Sequence, residues 1–269
     1  MNHSVMIVTG ASSGIGRAIA LEALTKGYRV VLAGRNMEGL EQTASQSKAD
    51  ASQYLLVQVD VAKREDCRQL VEEAVVRFGQ IDVLVNNAGV SMRALFAEAD
   101  LEVLERLMQV NFWGMVYCTH FALPYLLQSK GSVVGVSSVA GYKGLPARTG
   151  YSASKFAMHG FLESLRIENL KKGLHVLIAC PGFTASNIRK TALSKDGSPQ
   201  GESPRAEEKM MSAEEVAAHI LDALKKRKNS IVLTTTGKIT VWLNKFFPKL
   251  VDNLVYKHLA NEANSPLKG

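Results

Sequence analysis

The strongest constraint on the fold is an alternation of short, continuously apolar segments with longer segments of helical periodicity. Seven of the short segments are typical of buried strands: Val5–Val8, Arg29–Ala33, Tyr54–Gln58, Ile81–Val85, Ser132–Val136, His175–Ala179 and Ile231–Leu233. Because strands without polar alternation are buried on both faces, they indicate a parallel sheet covered by helices on both sides. We therefore expect a single doubly wound α/β domain with about seven parallel strands and right-handed crossovers.

The segments between and after these strands complete the predicted layout. The predicted helices are Gly14–Lys26, Met37–Ser47, Arg64–Phe78, Leu101–Leu127, Tyr151–Lys172 and Ala213–Lys226. The region 184–211 is rich in proline, glycine and charge, so it predicts a long loop of the kind that often forms a lid. The region 238–260 has near-helical apolar spacing, and Pro248 should kink or split that helix. We divide the chain into a main domain, 1–235, and a basic amphipathic C-terminal extension, 236–269.

The charge distribution argues against a nucleic-acid-binding function. The chain carries a net charge of +7, and the 45 residues from Lys225 onward hold nine basic and two acidic side chains, which accounts for all of it. A nucleic-acid binder should carry its basic surface on the body of the domain, whereas this body is neutral.

The remaining composition is that of an ordinary globular chain of 269 residues, 46% hydrophobic and 21% charged. The three cysteines form no C-x-x-C pair, so we expect no zinc site, no other metal site and a reduced, cytoplasmic protein. The first ten residues lack the features of a signal peptide, and no apolar stretch of about 18 residues predicts a transmembrane span.

A glycine-rich turn lies between the first strand and the first helix, in the sequence Thr9-Gly-Ala-Ser-Ser-Gly-Ile-Gly16. Glycines allow a tight turn and let backbone N–H groups approach a pyrophosphate at a helix N-terminus. A plain strand-to-helix turn is the alternative. The same residues also match G-x-S-x-G, the nucleophile elbow of α/β hydrolases, but an elbow on the first strand leaves no earlier strand–helix unit to supply an oxyanion loop.

The end of the second strand favours NADP(H) over NAD(H). Gly34 stands where NAD readers place an acid, and Arg35 follows it. A missing carboxylate removes repulsion toward a 2′-phosphate, and a guanidinium can bind that phosphate. Arg17 is either a second phosphate partner or a helix-surface residue. Asp60 either accepts from an adenine amino group or caps the next helix.

Tyr151 and Lys155 have the i, i+4 spacing that places two side chains on one helical face. An ammonium close to the phenol would lower the pKa of Tyr151 and make it usable as a general acid or base. Ser137 and Ser138 follow the fifth strand at the carboxyl edge of the sheet, where open α/β sheets bind ligands. A hydroxyl there could donate to a carbonyl oxygen of a substrate.

With these residues in place, the chain resembles the short-chain dehydrogenases/reductases over about residues 3–235. The motifs that carry the resemblance are the glycine turn, Asp60, Asn86-Asn-Ala-Gly89, Asn111, Ser138, Tyr151-Ser-Ala-Ser-Lys155 and Pro181-Gly182. In that family the catalytic serine usually precedes the tyrosine by 13 residues, which selects Ser138 over Ser137. The resemblance displaces the hydrolase hypothesis.

The resemblance implies a seven-stranded Rossmann-like sheet, a dinucleotide-binding catalytic main domain and a set of residue roles. Tyr151 would be the general acid/base, Lys155 would lower its pKa and bind the nicotinamide ribose, Ser138 would hold the substrate oxygen, and Asn111 would position a water molecule. The implied cofactor-binding residues are Gly10, Ser12, Ser13, Gly14, Ile15, Gly16, Arg35, Asp60, Val61, Asn87, Ala88, Gly89, Tyr151, Lys155, Pro181, Gly182 and Thr184. The family also implies a homodimer or homotetramer formed through the helices at 101–127 and 151–172.

The expected function is NADP(H)-dependent hydride transfer between nicotinamide and a carbonyl or secondary alcohol. The alternative is a non-catalytic NADP(H)-binding sensor or scaffold, against which the intact Ser138, Tyr151 and Lys155 argue. The candidate substrate-pocket residues are mostly apolar and favour an apolar ketone such as a steroid or lipid-like compound: Ser91, Met92, Val139, Leu145, Arg148, Phe183 and Ile188.

The C-terminal extension has three possible roles at this stage. It packs on its own body or on a partner subunit, or it forms an interfacial helix on an anionic membrane with Trp242, Phe246 and Phe247 inserted, or it covers the substrate pocket. The extension looks similar to that of the membrane-associated steroid and lipid-ketone reductases of the family. We therefore expect a cytoplasmic protein with weak peripheral membrane contact through residues 238–260 as an open alternative.

Overall fold

A computed structural model describes residues 4–182, 184, 188–201, 210–262 and 264–268. Its centre is one sheet of seven strands in the order β3-β2-β1-β4-β5-β6-β7, all of them parallel. The strands are β1 Val5–Thr9, β2 Arg29–Gly34, β3 Tyr54–Gln58, β4 Val83–Asn86, β5 Ser132–Val136, β6 His175–Cys180 and β7 Ser230–Val232. The predicted doubly wound Rossmann-like fold is confirmed.

The direction of winding reverses between β1 and β4, which are neighbours in the sheet although two strands separate them in the chain. In the register of this pair, Ile7 lies beside Leu84 and Val8 beside Val85. Loops that leave the carboxyl ends of β1 and β4 therefore diverge to opposite faces and open a crevice between them. A crevice at such a switch point is where open α/β sheets bind ligands.

Helices cover both faces of the sheet because the strands are buried on both sides. The helices are α1 Gly14–Thr25, α2 Met37–Ser47, α3 Arg64–Phe78, α4 Leu101–Leu107, α5 Gly114–Gln128, α6 Thr149–Glu168, α7 Ala213–Lys225, α8 Thr235–Phe246 and α9 Pro248–Ala260. One face packs Ile19 of α1 and Ile220 of α7 on the sheet, and the other packs Leu70 of α3, Cys118 of α5 and Leu162 of α6.

The predicted helix over 101–127 is interrupted. A π-helical segment, Met108–Trp113, separates α4 from α5 and carries the buried Asn111. Helix α6 begins at Thr149, two residues earlier than predicted. It ends at Glu168, and the 3₁₀ turn Leu170–Lys172 follows it.

The segment 184–211 was expected to be a long loop. Within its described residues, 184, 188–201 and 210–211, only isolated bridges occur, among them Met92 with Leu193 and Thr184 with Met211. The loop after β6 therefore pairs with the loop after β4 at the carboxyl edge of the sheet. Phe183 lies outside the described residues.

The chain after β7 forms two helices, α8 and α9, which meet at Phe247 and Pro248. Helix α8 begins at Thr235 because Thr234 Oγ1 accepts a hydrogen bond from Gly237 N at 3.0 Å. The predicted split at Pro248 is present, since proline occupies the first position of α9, where its missing N–H costs nothing. Across the described ranges, none of the helices combines the length and apolar character that a bilayer crossing requires.

Candidate active site

The glycine turn after β1 is shaped by close backbone approaches. Gly10 has a φ of +69° and Gly14 a φ of +52°, in the left-handed region that favours glycine. A Cβ at Gly16 would clash with Gly10 O and Asn87 Nδ2. The first turn of α1 therefore sits directly against the start of the loop that follows β4.

The N-terminus of α1 is open to an anionic group. Ser13 occupies the N-cap position without a side-chain hydrogen bond to the helix, and no acidic residue lies in the first turn. The first N–H groups of the helix and its positive dipole end can therefore bind a pyrophosphate. Ile15, by contrast, packs partly against the core of this face. The turn itself is tied to α2, because Arg17 Nη2 donates to Ser12 O at 2.5 Å and Arg17 Nε donates to Thr43 Oγ1 at 3.0 Å.

Arg35 is exposed at the end of β2, directly after the buried Gly34. A Cβ built on Gly34 would lie 3.7 Å from Ser12 Oγ, so the end of β2 adjoins the glycine turn. A side chain at position 34 would start in van der Waals contact with that hydroxyl and with Leu40. Arg35 therefore follows a residue that adjoins the turn, and its exposed side chain has no carboxylate in the position before it.

Asp60 and Val61 follow the third strand. Asp60 Oδ1 accepts from Ala62 N at 3.1 Å, and Asp60 N donates to Asp66 Oδ2 at 3.0 Å. Asp60 thus stabilises the turn before α3, although the N-cap of that helix is Lys63. The buried Val61 side chain packs against Gly114, where a Cβ would come within 2.8 Å of Val61 Cγ2.

The loop after β4 is held by the end of β1 through a residue that the sequence analysis did not single out. Thr9 Oγ1 accepts from Asn87 N at 3.0 Å and from Ala88 N at 3.1 Å. Asn87 Nδ2 donates to Thr9 O at 2.9 Å. A threonine at a strand end just before a glycine turn was the available signal. Its hydroxyl joins the two loops that border the crevice.

Asn111 continues this line of contacts toward α6. Its Oδ1 accepts from Val90 N at 2.8 Å, and its Nδ2 donates to Val90 O and to Ser154 Oγ, both at 2.9 Å. Ser154 Oγ in turn donates to Tyr151 O at 2.8 Å. A Cβ at Gly89 would lie 3.1 Å from Asn111 Oδ1. The amide of Asn111 therefore fixes the loop after β4 to the helix that carries Tyr151.

Ser138, Tyr151 and Lys155 come together at the carboxyl end of β5. Ser138 has an extended backbone, and its hydroxyl accepts from Ala140 N at 3.2 Å. The Ser138 hydroxyl lies near enough to the Tyr151 phenol to lower the pKa of that phenol. The neighbouring Ser137 Oγ bonds His159 Nε2 at 2.8 Å instead. Of the two serines, Ser138 is the one directed at the tyrosine.

The expected lowering of the Tyr151 pKa by Lys155 is not what the geometry gives. Lys155 Nζ lies 5.7 Å from the centre of the Tyr151 ring and donates to Val136 O at 2.9 Å. Burial raises the pKa of the Tyr151 phenol, and the nearby Ser138 hydroxyl and the charge of Arg148 only partly oppose that rise. The sequence could not supply this correction, because it reveals spacing along a helix and not desolvation.

Lys155 shares its buried site with groups that no sequence pattern identified. Burial lowers the pKa of Lys155 to about 8, and the nearby Cys180 opposes that shift. His159, one turn further along α6, contacts Ser137 and lies 3.6 Å from Cys180 Sγ. Burial and the charge of Lys155 lower the pKa of His159 to about 4, so this imidazole is neutral near pH 7.

The candidate pocket residues fall into different environments. Met92 is fully buried and packs with Leu193 and Tyr151 in a small apolar cluster, and Ser91 is buried beside it. Val139, Leu145, Arg148 and Ile188 are half-buried. Pro181, Gly182 and Thr184 follow β6, and a Cβ at Gly182 would clash with the Thr234 side chain.

These elements together define a class of protein. A doubly wound sheet brings a glycine turn, an open helix N-terminus and a serine–tyrosine–lysine group to one edge, which is the architecture of a dinucleotide-dependent oxidoreductase. Comparison with known proteins then identifies the family.

A family model described as short chain dehydrogenase matches residues 4–197. The chain is 32% identical to dehydrogenase/reductase SDR family member 7B of Mus musculus, over 98% of this chain and 84% of that protein. It is 33% identical to 11-beta-hydroxysteroid dehydrogenase-like 4A of Arabidopsis thaliana, over 93% of this chain and 83% of that protein. The crystal structure of a short chain dehydrogenase/reductase from Burkholderia phymatum in complex with NAD shares the fold, with a TM-score of 0.82 at 24% identity over 93% of this chain and 95% of that one. The chain belongs to the short-chain dehydrogenase/reductase family and is an oxidoreductase of that family.

Proposed function

We propose that the protein is an NADP(H)-dependent reductase of carbonyl compounds, or the corresponding alcohol dehydrogenase, with Tyr151 as general acid/base. The observation that carries this proposal is the meeting of Ser138, Tyr151 and Lys155 at the sheet edge that also holds the glycine turn. A non-catalytic sensor would need the turn but not the other three residues. The same proposal assigns residues 1–235 to binding and catalysis.

The described residues fit a nicotinamide dinucleotide. The backbone at Gly10 and Gly16 is too crowded for a side chain, so a cofactor would meet only backbone atoms at these two positions. The N-terminus of α1 offers uncapped N–H groups for a pyrophosphate. We assign the remaining contacts to the loops after β2, β3, β4 and β6. When bound there, the cofactor supplies or accepts the hydride.

The chain's own residues handle the oxygen and the proton of the substrate. The Ser138 hydroxyl donates to the carbonyl oxygen as negative charge develops on it. The Tyr151 phenol then gives its proton to that oxygen in reduction, or takes it back in oxidation. Because burial raises the phenol pKa in this structure, the phenol carries its proton near neutral pH and can donate it in reduction. We assign Lys155, one helical turn away, to the nicotinamide ribose. Asn111 holds the loop after β4. We assign to Asn111 the positioning of a water molecule near Tyr151 and Lys155.

We propose NADP(H) over NAD(H) from the end of β2. An exposed arginine follows a buried glycine that adjoins the glycine turn, so a carboxylate that would repel a 2′-phosphate is missing from that position. Neither sequence neighbour of Arg35, at positions 34 and 36, is acidic. The guanidinium of Arg35 can bind a phosphate with two hydrogen bonds.

We propose an apolar ketone, steroid-like or lipid-like, as the substrate. Met92 and Leu193 place an apolar surface next to Tyr151, and the relative from Arabidopsis thaliana carries the name of a hydroxysteroid dehydrogenase. We also propose that the subunits form dimers or tetramers. The exposed rings of Trp113 and Phe156 lie on the two helical segments that the family uses for this contact.

We also propose weak peripheral membrane contact through the C-terminal extension, in a protein that otherwise resides in the cytoplasm. Helices α8 and α9 present an apolar tail surface in which each residue is at least half exposed: Ile239, Trp242, Phe246, Phe247, Leu250 and Leu254. The exposed lysines Lys238, Lys245, Lys249 and Lys257 flank it. Such a combination suits an anionic lipid surface.

The test of the main proposal is an NADPH-oxidation screen over carbonyl compounds, repeated with NADH and with Tyr151→Phe. We expect turnover with NADPH on an apolar ketone, and a loss of kcat of at least a hundredfold in Tyr151→Phe with the dissociation constant for NADPH within twofold. Phenylalanine keeps the ring and its packing against Met92, so we expect Tyr151→Phe to fold like the wild type and its loss of turnover to report on the missing hydroxyl. Retained turnover in Tyr151→Phe would remove the proposed acid, and NADPH binding without turnover in the wild type would favour the sensor.

A further inference from the structure

A carboxylate near the C-terminus is buried against two guanidinium groups beside the candidate active site. Glu262 lies just beyond α9, and its side chain is only 4% exposed. Its Oε2 is 3.4 Å from Arg93 Nη2 and 3.5 Å from Arg148 Nη2. The side chains of these two arginines are also largely buried. One acidic side chain thus joins two basic residues that are 55 positions apart in the sequence.

The two arginines belong to the two loops that border Tyr151. Arg93 lies in the loop after β4, where Arg93 N donates to Leu193 O at 2.9 Å and Ala94 N donates to Ala147 O at 3.0 Å. Arg148 is the residue before α6, three positions ahead of Tyr151. Glu262 therefore connects the C-terminal segment to both loops at the point where those loops contact each other.

The local structure around Arg148 shows why its position matters. Arg148 O accepts from Ser152 N at 2.8 Å, and Ser152 Oγ accepts from Leu145 N at 3.1 Å, so the end of the loop and the first turn of α6 form one unit. The charge of Arg148 also lowers the pKa of the Tyr151 phenol, against the larger effect of burial. A shift of Arg148 would change both the wall of the cleft and the electrostatics of the phenol.

Burial makes this cluster sensitive to loss of the acid. Desolvating charged groups is costly, and a buried charge that loses its partner destabilises its surroundings strongly. A surface ion pair contributes little by comparison. Helix α7 offers such a pair for comparison, because Asp222 binds Lys226 Nζ at 2.9 Å and both side chains are at least half exposed.

We propose that Glu262 is a positioning residue of the enzyme, and that the C-terminal segment acts as a clasp that holds the loops of Arg93 and Arg148 in place against Tyr151. The clasp gives the extension a role inside the catalytic domain, distinct from any contact of the apolar tail surface. Its catalytic consequence rests on the proposed reductase function, whereas its structural part does not.

The test compares Glu262→Gln with Asp222→Asn in the full-length protein. Each variant removes one negative charge with almost no change of shape. For Glu262→Gln we expect amide hydrogen exchange at Arg93, Ala94 and Leu145 to accelerate at least tenfold, and the KM for the carbonyl substrate to rise at least tenfold. The dissociation constant for NADPH should stay within twofold. Asp222→Asn should match the wild type within twofold in all three measurements.

Two outcomes would overturn the clasp. The first is exchange at these amides within twofold of the wild type in Glu262→Gln, and the second is an equal effect of Asp222→Asn. A merely structural role would lower the free energy of unfolding without raising KM at a temperature where the variant is folded. If Glu262→Gln does not fold, Glu262→Asp gives the same comparison, because it keeps the charge and shortens the reach. Hydrogen exchange and NADPH binding need no turnover, so failure of the clasp and failure of the reductase proposal remain distinguishable.

Discussion

At the scale of single residues, Lys155 is a buried cation of the candidate site. Its pKa in the folded protein is lowered to about 8 from an ordinary value of 10.5, because burial penalises the ammonium. The unfolded chain therefore binds more protons than the folded one between these two values. Stability contributed by this group is absent below about pH 8 and rises with pH until about pH 10.5.

This linkage predicts a pH-dependent effect of Lys155→Met, which keeps the length of the side chain without its charge. The wild type should gain about 2 kcal/mol in free energy of unfolding relative to the variant between pH 7.5 and 9.5. Urea unfolding of both proteins without cofactor measures the difference. Lys249→Met, at an exposed lysine of α9, is the control and should give a constant difference. A constant difference for Lys155→Met would contradict the buried ammonium.

Arg35 is the residue on which cofactor choice depends. We expect Arg35→Ala to raise the dissociation constant for NADPH at least tenfold, because a charge-assisted hydrogen bond contributes about 1.5–3 kcal/mol. Binding of NADH should change less than twofold, since NADH has no 2′-phosphate. Fluorescence titration with both nucleotides measures this, with Arg77→Ala of α3 as the control for loss of an exposed guanidinium. Equal weakening of both nucleotides would assign Arg35 a general role in binding.

The residues of the site were predictable where spacing determines position. A spacing of 13 positions from serine to tyrosine selected Ser138, and in the structure Ser137 contacts His159 instead. The pKa of Tyr151 was not predictable, because its direction depends on burial by segments distant in sequence. The pairing of Glu262 with two arginines was equally hidden, since no local pattern connects a residue after α9 with loops after β4 and β5.

At the scale of elements, the first turn of α1 depends on a glycine that has no room for a side chain. We expect Gly16→Ala to lower the free energy of unfolding by several kcal/mol or to weaken NADPH binding at least tenfold, because its Cβ would clash with Gly10 O. Gly160 is the matched control, a helical glycine of α6 with no atom within 4 Å of its Cβ position. Gly160→Ala should stabilise the protein by about 0.5–1 kcal/mol. Thermal unfolding with and without NADPH measures both variants, and a neutral Gly16→Ala would refute the close approach.

Element boundaries followed the chemistry of individual residues. The split between α8 and α9 was predictable because proline cannot continue a helix. The π-helical segment Met108–Trp113 was not, since it contains neither proline nor glycine. The side chain of Asn111 explains where the π-helical segment lies, because its hydrogen bonds to Val90 and Ser154 require this amide at a fixed point between two neighbouring elements. Tertiary contacts, not the local sequence, determine that part of the helix.

At the scale of the whole molecule, charge and apolar exposure are concentrated in one region. The body of the chain is neutral, whereas residues 225–269 carry the whole excess of basic side chains. The same region exposes Trp242 and Phe246, at 59% and 61% of their surface, although Val251 and Leu259 of α9 are buried. The ion pairs Asp252–Lys143 and Glu262–Arg93 attach the extension to the main domain, and the extension exposes an aromatic, basic side.

This arrangement predicts weak binding to anionic vesicles that depends on salt. Lysines near the apolar tail surface attract phosphatidylserine, and salt screens that attraction beyond a distance of about 8 Å at physiological ionic strength. We expect sedimentation with phosphatidylserine vesicles, little with phosphatidylcholine vesicles, and a loss of at least fivefold on replacing both Trp242 and Phe246 by serine. The control carries serine at Val76 and Leu170, which are exposed elsewhere on the surface, and should bind like the wild type. Equal sedimentation with both lipids would reject membrane contact and leave the aromatic side to a second subunit, which size-exclusion chromatography of the same variants would detect as a shift to monomer.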